Sequence, residues 1–454
     1  MTASSVRPSP ADIQVSRRAR ILFLGVCAGN FLVLLDTSIL NVALPDVQKN
    51  LHASVALLPW TSVAYTVVFG ALLLASGAVA DRFGPRRLYR GALIAFAAMS
   101  LLCAAAPTIG WLIAGRALLG VAAAGMVPAS LALLASLYPN PGERAKAIGT
   151  WAAITSSGLL AGPILGGLLV TAGGWRLVFL VNPPIALISF LLARRFANNV
   201  PPKIRPLDRP GIGLSILVLL ALTYGFIDGG TNGWGRPEPI IGLLIAALAL
   251  IALVAVERRA QHPVLPAVLV TNPGVRTDVL AAATATLVFY GILFTLTLWY
   301  ERERGLSALQ TGLAFVPMTL PMCVLPMVTG RLVAFFGARR LIVFGLICDA
   351  FAGLLLSFVG LNSPLVWIIV AEVALVLAST TTIPAATADV AITAPAEYAA
   401  SAQGALNAAR QAGSALGVAI LGPLLSLHTI GTVLAVLSVL VVAATLRRRE
   451  REPA

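Results

Sequence analysis

Charge is what this 454-residue chain has least of. Asp, Glu, Lys and Arg make up 11% of it, against roughly 25% in an ordinary soluble domain. Lysine is scarcer still, since Lys49, Lys146 and Lys203 are the three lysines among 32 basic residues. Cysteine is rare too: Cys27, Cys103, Cys323 and Cys348 all lie in apolar runs with no CxxC spacing, which excludes a disulfide framework and a zinc cluster. The three histidines, His52, His262 and His428, fall in loops or at the ends of runs. There is no HExxH, Walker A or dinucleotide fingerprint, and no polar stretch long enough for a soluble catalytic domain. The sequence therefore reads as neither an enzyme nor a nucleotide-driven pump, and it calls for no metal or cofactor.

What fills the chain is apolar: 58% of the residues are hydrophobic and the mean hydropathy is +0.92. A run of about 20 apolar residues crosses a bilayer, and such runs follow one another almost without a break. Fourteen are predicted between residues 20 and 446, including 20–43, 308–331 and 402–427. The first is too long for a signal-peptide core and is expected to remain as a span. Placing the N-terminus in the cytoplasm puts 25 basic residues on that side and five on the other, with Arg116 and Arg410 inside runs. An asymmetry that alternates loop by loop supports fourteen spans with both termini cytoplasmic. The net charge of +14 thus reads as topology signal and headgroup contact rather than nucleic-acid binding. The alanine- and arginine-rich composition suggests a bacterial inner membrane.

GAVADRFGPRRL (77–88) and GRLVAFFGARRL (330–341) form an internal repeat, both on predicted cytoplasmic loops. With spans 7 and 8 read as an insertion, spans 1 to 6 correspond to spans 9 to 14. The expected organisation is an all-α membrane fold: a tail (1–19), a six-helix bundle (20–196), a linker with two inserted helices (197–276), a second six-helix bundle (277–446) and a basic tail (447–454). Parallel repeats of this kind mark secondary transporters that bind substrate between the halves. The copies differ where the first has Asp81 and Arg82 and the second has Ala334 and Phe335. The turn therefore does not need those charges, and Asp81 with Arg82, Arg86 and Arg87 is expected to act as a gating loop, Gly77 and Gly84 allowing close approach and a tight turn.

Ionisable residues inside the membrane are functional candidates by default. Four stand out: Asp36, Arg116, Asp349 and Glu372. Asp36 lies about 22 Å along the first helix, past the bilayer centre. It could hold a proton, meet a cationic substrate, or act structurally through Thr37 or Asn41. Arg116 has no carboxylate near it in sequence, so its partner comes from another helix or from a ligand. Asp389 and Arg410 read as closer to the cytoplasmic ends. Gly158, Gly162, Gly166 and Gly167 form a small-residue stripe around Pro163, suited to close helix approach and a bend.

Together these segments resemble the major facilitator superfamily, and within it the fourteen-span drug:proton antiporter branch. The residues that carry the likeness are LDTSILNVALP (35–45), GAVADRFGPRRL with Pro85 in place of the usual basic residue, LIAGRALLGVAAAG (112–125), SSGLLAGPILGG (156–167), GWRLVFLVNPP (174–184) and NAARQAGSALGVAILG (407–422). The resemblance implies a major facilitator fold and a proton-coupled antiporter exporting amphipathic drugs or antibiotics. It also implies that Asp36, Arg116, Glu372 and Asp349 serve coupling and that Asp36, Asn41 and Glu372 face one substrate cavity. Expected partners are protons, membrane lipids and a small amphipathic molecule, with the chain acting as a monomer. The long outer insertion that several members of the branch carry between the last two spans is lacking here. Two alternatives stay open: an importer of a metabolite on the same fold, and a non-transporting membrane receptor.

Overall fold

The computed structural model describes residues 10–138, 140–194, 209–259, 267–395, 398–424 and 426–447. The start of the N-terminal tail, most of the connections flanking the two inserted helices and the end of the C-terminal tail lie outside them.

In hydrocarbon the backbone must satisfy its own hydrogen bonds, and apolar runs of this length do so as helices. The first part contains α1 (Pro10–Asn50), α2 (Leu58–Phe83), α3 (Pro85–Ala104), α4 (Ile109–Leu137), α5 (Pro141–Gly173), α6 (Arg176–Leu180) and α7 (Asn182–Ala193). The inserted pair is α8 (Arg209–Asn232) and α9 (Pro237–Arg259). The second part contains α10 (Ala267–Thr271), α11 (Pro273–Arg302), α12 (Ala308–Ala314), α13 (Val316–Thr319), α14 (Pro321–Phe336), α15 (Ala338–Ser357), α16 (Leu365–Thr393), α17 (Ala399–Leu421) and α18 (Leu427–Arg447). Among the described residues there is no strand.

Twelve stretches among the described residues are long and apolar enough to cross a membrane. Two of the fourteen expected runs are not among them. The run at 308–331 is divided into α12, α13 and α14, with Pro317 and Pro321 at the starts of the later pieces, where proline removes a backbone donor and cannot continue the preceding helix. The run at 402–427 is helical as α17 but carries Gln403, Asn407, Arg410, Gln411 and Ser414, a polar stripe at helical spacing.

Within the first part α1 packs on α4, α5 and α7, and α4 packs on α2 and α3. Within the second, α11 packs on α16 and α17, and α15 on α16 and α18. The parts meet where α2 lies against α17 and α5 lies against α12 and α14. The helix α8 pairs with α9 and touches α2 and α17. Residues Leu244, Leu248 and Ile251 of α9 are exposed, as expected of a helix facing lipid.

The repeat is visible in the backbone. Gly84 has φ +86° and Gly337 φ +81°, at the same place in each copy, and each amide donates back to the preceding helix, to Ala80 O at 2.9 Å and Val333 O at 2.9 Å. Two residues on, Arg86 donates to Arg194 O at 2.8 Å and Arg339 to Thr445 O at 2.7 Å. Each arginine thus neutralises exposed carbonyls at the C-terminal end of the last helix of its own part, where the helix dipole favours a cation.

Candidate functional site

Asp36 and Arg116 find each other across 80 residues of sequence. Arg116 on α4 donates through Nη1 to Asp36 Oδ2 on α1, with side-chain exposures of 1% and 0%. The pair is enclosed on every side. Arg116 Nε donates to Thr61 O at 2.8 Å, and its guanidinium lies 4.5 Å from the centre of the Tyr65 ring, a cation–π contact. Asp36 Oδ1 accepts from Asn182 Nδ2 at 2.8 Å, and the same amide nitrogen reaches Ser100 Oγ at 3.1 Å. One network therefore joins α1, α2, α3, α4 and α7. Two charges taken out of water are expensive, and only close pairing with further hydrogen bonds offsets the desolvation. Both conditions are met here.

Thr37 and Asn41 are not partners of Asp36. Thr37 Oγ1 donates to Val33 O at 2.8 Å, and Asn41 Nδ2 donates to Thr37 O at 3.3 Å and Ser38 O at 3.4 Å. Asn41 is 3% exposed, so in this conformation it braces its own helix. Asn182, Ser100 and Tyr65 are the residues that sequence reasoning missed. Asn182 stood inside the GWRLVFLVNPP segment, but nothing local to that segment points to a carboxylate 146 residues away.

Glu372 lies apart from this network. On α16 it is fully buried, and its Oε1 accepts from Tyr300 Oη of α11 at 3.0 Å, while Oε2 has no hydrogen-bond partner among the described residues. Phe315 packs against the same tyrosine, with ring centroids 5.6 Å apart. Asp36 and Arg116 are thus neighbours, while Glu372 lies in the second part against Tyr300. Asp349 on α15 is also buried, and its Oδ2 has no hydrogen-bond partner among the described residues. It meets none of the other three.

The glycine stripe on α5 faces two ways. Carbon atoms placed on Gly158 and Gly166 would lie 2.5 Å from Phe31 O and 2.8 Å from Ile39 O, both on α1. One on Gly167 would lie 2.6 Å from Ala308 O at the start of α12, in the other part. Gly162 lies against Ser38, and the carbonyl of Pro163 lies against Gly312 of α12. The stripe therefore lets α5 sit close to its own bundle and to the second part at once.

At the α1 C-terminal end one polar contact ties the parts. Arg302 of α11 donates to Gln48 of α1, and at the same end of α1 the Trp175 amide donates to Asp46 Oδ2 at 2.8 Å. In the gating loop, Gly77 is within α2, and the side chain of Asp81 lies outside the described set. Arg82 is exposed and stacks on Phe83 at 5.5 Å. Arg87 is exposed, and Arg86 is engaged with Arg194 O.

Two repeated groups of helices around buried charges, meeting along α2–α17 and α5–α12, define a polytopic secondary-transporter architecture. The family model of the Major Facilitator Superfamily matches residues 26–418 and again 279–454, and the chain belongs to that superfamily. It is a multi-pass protein of the bacterial plasma membrane. It is 36% identical over 403 residues to a puromycin resistance protein of Streptomyces alboniger, covering 87% of this chain and 80% of that one. To a methylenomycin A resistance protein of Bacillus subtilis it is 32% identical, covering 94% and 90% of the two chains. Among solved structures, a peptide transporter bound to sulfate superposes with a TM-score of 0.72 at 16% identity, covering 95% of this chain and 94% of that one. That likeness is one of fold alone.

Proposed function

We propose that the chain is a proton-coupled antiporter that exports amphipathic drugs or antibiotics by alternating access between two six-helix bundles. The observation that carries export is the likeness, over most of both lengths, to relatives named for resistance to puromycin and methylenomycin A. Coupling is supported by carboxylates with no access to water: Asp36 held by Arg116 and Asn182, and Glu372 held by Tyr300. In this reading protonation of Asp36 releases Arg116, and the freed guanidinium and its stacked Tyr65 change how α4 and α2 pack. Glu372 supplies the second titratable group, Asp349 a third, and Asn41 faces substrate in another conformation. The α5 glycines, with Pro163, act as the seam along which the bundles rock.

The topology proposed is fourteen spans with both ends cytoplasmic, α12–α14 and α17 providing the two beyond the twelve apolar ones. The bundles run 20–196 and 277–446, with the inserted pair in the 197–276 linker. The loop from Gly77 to Arg87, with Asp81 and Gly84, gates the cytoplasmic side, and the unit is a monomer. The test is flux in proteoliposomes under an imposed pH gradient, using ethidium and tetraphenylphosphonium beside uncharged antibiotics. Uptake of protons should accompany substrate exit and vanish in Asp36→Asn. Substrate movement that is independent of the gradient would sink the coupling, and movement only down the substrate gradient in both directions would favour a facilitator.

A further inference from the structure

Arg410 is a charge within a span that the proposed mechanism leaves unused. It stands at the midpoint of α17, and its contacts are also mid-helix. Thr286 Oγ1 of α11 donates to its carbonyl at 2.9 Å, and the neighbouring Gln411 presses against Gly70 near the middle of α2. Arg410, read from the sequence as closer to a cytoplasmic end, thus stands in the middle of its helix.

It also faces inward. Arg410 belongs to the helix held between α11 and α2, and Tyr290 of α11 packs against the cores of both parts. Arg410 thus sits beside the seam between the two halves and not on the lipid face.

What it lacks is a counter-charge. Among the described residues no carboxylate pairs with it. Its Nη1 donates to Asn407 Oδ1, one turn away on its own helix, at 3.2 Å, and its Nε has no hydrogen-bond partner among the described residues. The contrast with Arg116 is direct: that arginine has a carboxylate, a carbonyl and a ring. An arginine inside a span costs several kcal/mol unless paired or hydrated, and Arg410, Asn407 and Gln411 are each half-buried, so part of each residue remains accessible.

We propose that Arg410, with Asn407, Gln411 and Tyr290, forms an anion-accepting subsite at the seam between the halves, which takes the carboxylate or another acidic group of the compound being carried. The guanidinium supplies paired donors matched to a carboxylate, the two amides supply adaptable donors beside it, and the Tyr290 ring supplies an apolar wall. The chemical class implied is an amphipathic aromatic acid or zwitterion. The physiological role of this site rests on the export reading; the site itself does not.

The test is binding by the purified full-length chain in detergent. Fluorescein, 2-naphthoic acid and 1-pyrenebutyric acid are each titrated beside their methyl esters, with rhodamine 6G as a cationic reference. The wild type should bind acids more tightly than esters. Arg410→Gln should weaken the acids by roughly ten- to a hundredfold in Kd, the scale of a lost charge-assisted hydrogen bond, and leave the esters and rhodamine 6G within about twofold. Arg410→Lys should recover part of the acid affinity. Equal weakening of acids, esters and rhodamine 6G would mean a structural arginine, and no preference for acids in the wild type would mean no anion site; either overturns the proposal. Acid binding that depends on Arg410 in a protein with no proton-driven flux would leave the subsite standing and refute the antiporter.

Discussion

Removing one member of the Asp36–Arg116 pair should cost far more than removing both charges. In Arg116→Met the Asp36 carboxylate, fully enclosed, retains the Asn182 amide as its polar contact, and Thr61 O loses its donor. Stranding a buried charge in this way costs about 3–5 kcal/mol. Asp36→Asn strands the guanidinium on the opposite side, with a similar loss softened by the Thr61 carbonyl and the Tyr65 ring. In the double variant Asp36→Asn/Arg116→Met neither charge remains, and the carbonyl of the introduced amide can still accept from Asn182. The loss should then be no larger than for either single change, leaving a coupling energy of about 3 kcal/mol or more. Unfolding of the purified chain in mixed micelles measures this through a double-mutant cycle. The same double variant should be folded yet carry no proton-driven flux, which separates stability from coupling. Losses that simply add in the double variant would refute the reasoning, because two residues that do not form one desolvated unit have no interaction energy to lose twice.

Other outcomes follow from the same geometry. Tyr300→Phe takes the hydroxyl from Glu372 Oε1 and leaves a buried acceptor unsatisfied, so the unfolding free energy should fall by about 1–3 kcal/mol; no change would mean that water replaces the hydroxyl. Gly167→Val puts side-chain atoms where even the first carbon would lie 2.6 Å from Ala308 O, so the bundles should be forced apart on that side. The unfolding free energy in mixed micelles should fall by about 1–3 kcal/mol, and an unchanged value would show that α5 and α12 are not in contact. Gly84→Ala and Gly337→Ala each place a side chain at a positive φ, costing about 1–3 kcal/mol. The two should be similar in stability loss, and a much larger effect on flux for Gly84→Ala, read in the same vesicles, would mark the first loop as the gate.

The class of fold was legible because its signals are local. An apolar run long enough to span a bilayer, an arginine-rich loop, and the RFGPRRL and FFGARRL turns all declare themselves within a few tens of residues, since lipid acts on each segment separately. The count of spans was less legible. Pro317 and Pro321 break one run into three, and the polar stripe on α17 makes another look unlike a membrane helix, though α17 packs between α11 and α2. Which charges stand inside apolar runs was also readable, because every ionisable residue in such a chain is conspicuous.

Their pairing was a property of the tertiary structure alone. Asp36 meets Arg116 and Asn182, and Glu372 meets Tyr300 on another helix, because helix rotation and crossing bring side chains together without leaving any trace in spacing. The same holds for Arg410. In the sequence it is one more arginine near a polar stretch, and only the packing of α17 against α2 and α11 sets it at the seam with no carboxylate among the described residues paired to it. Hydrophobicity acts residue by residue and so can be read along the chain; the compensation of a buried charge depends on which atoms surround it, and those atoms come from helices scattered over the whole of the chain.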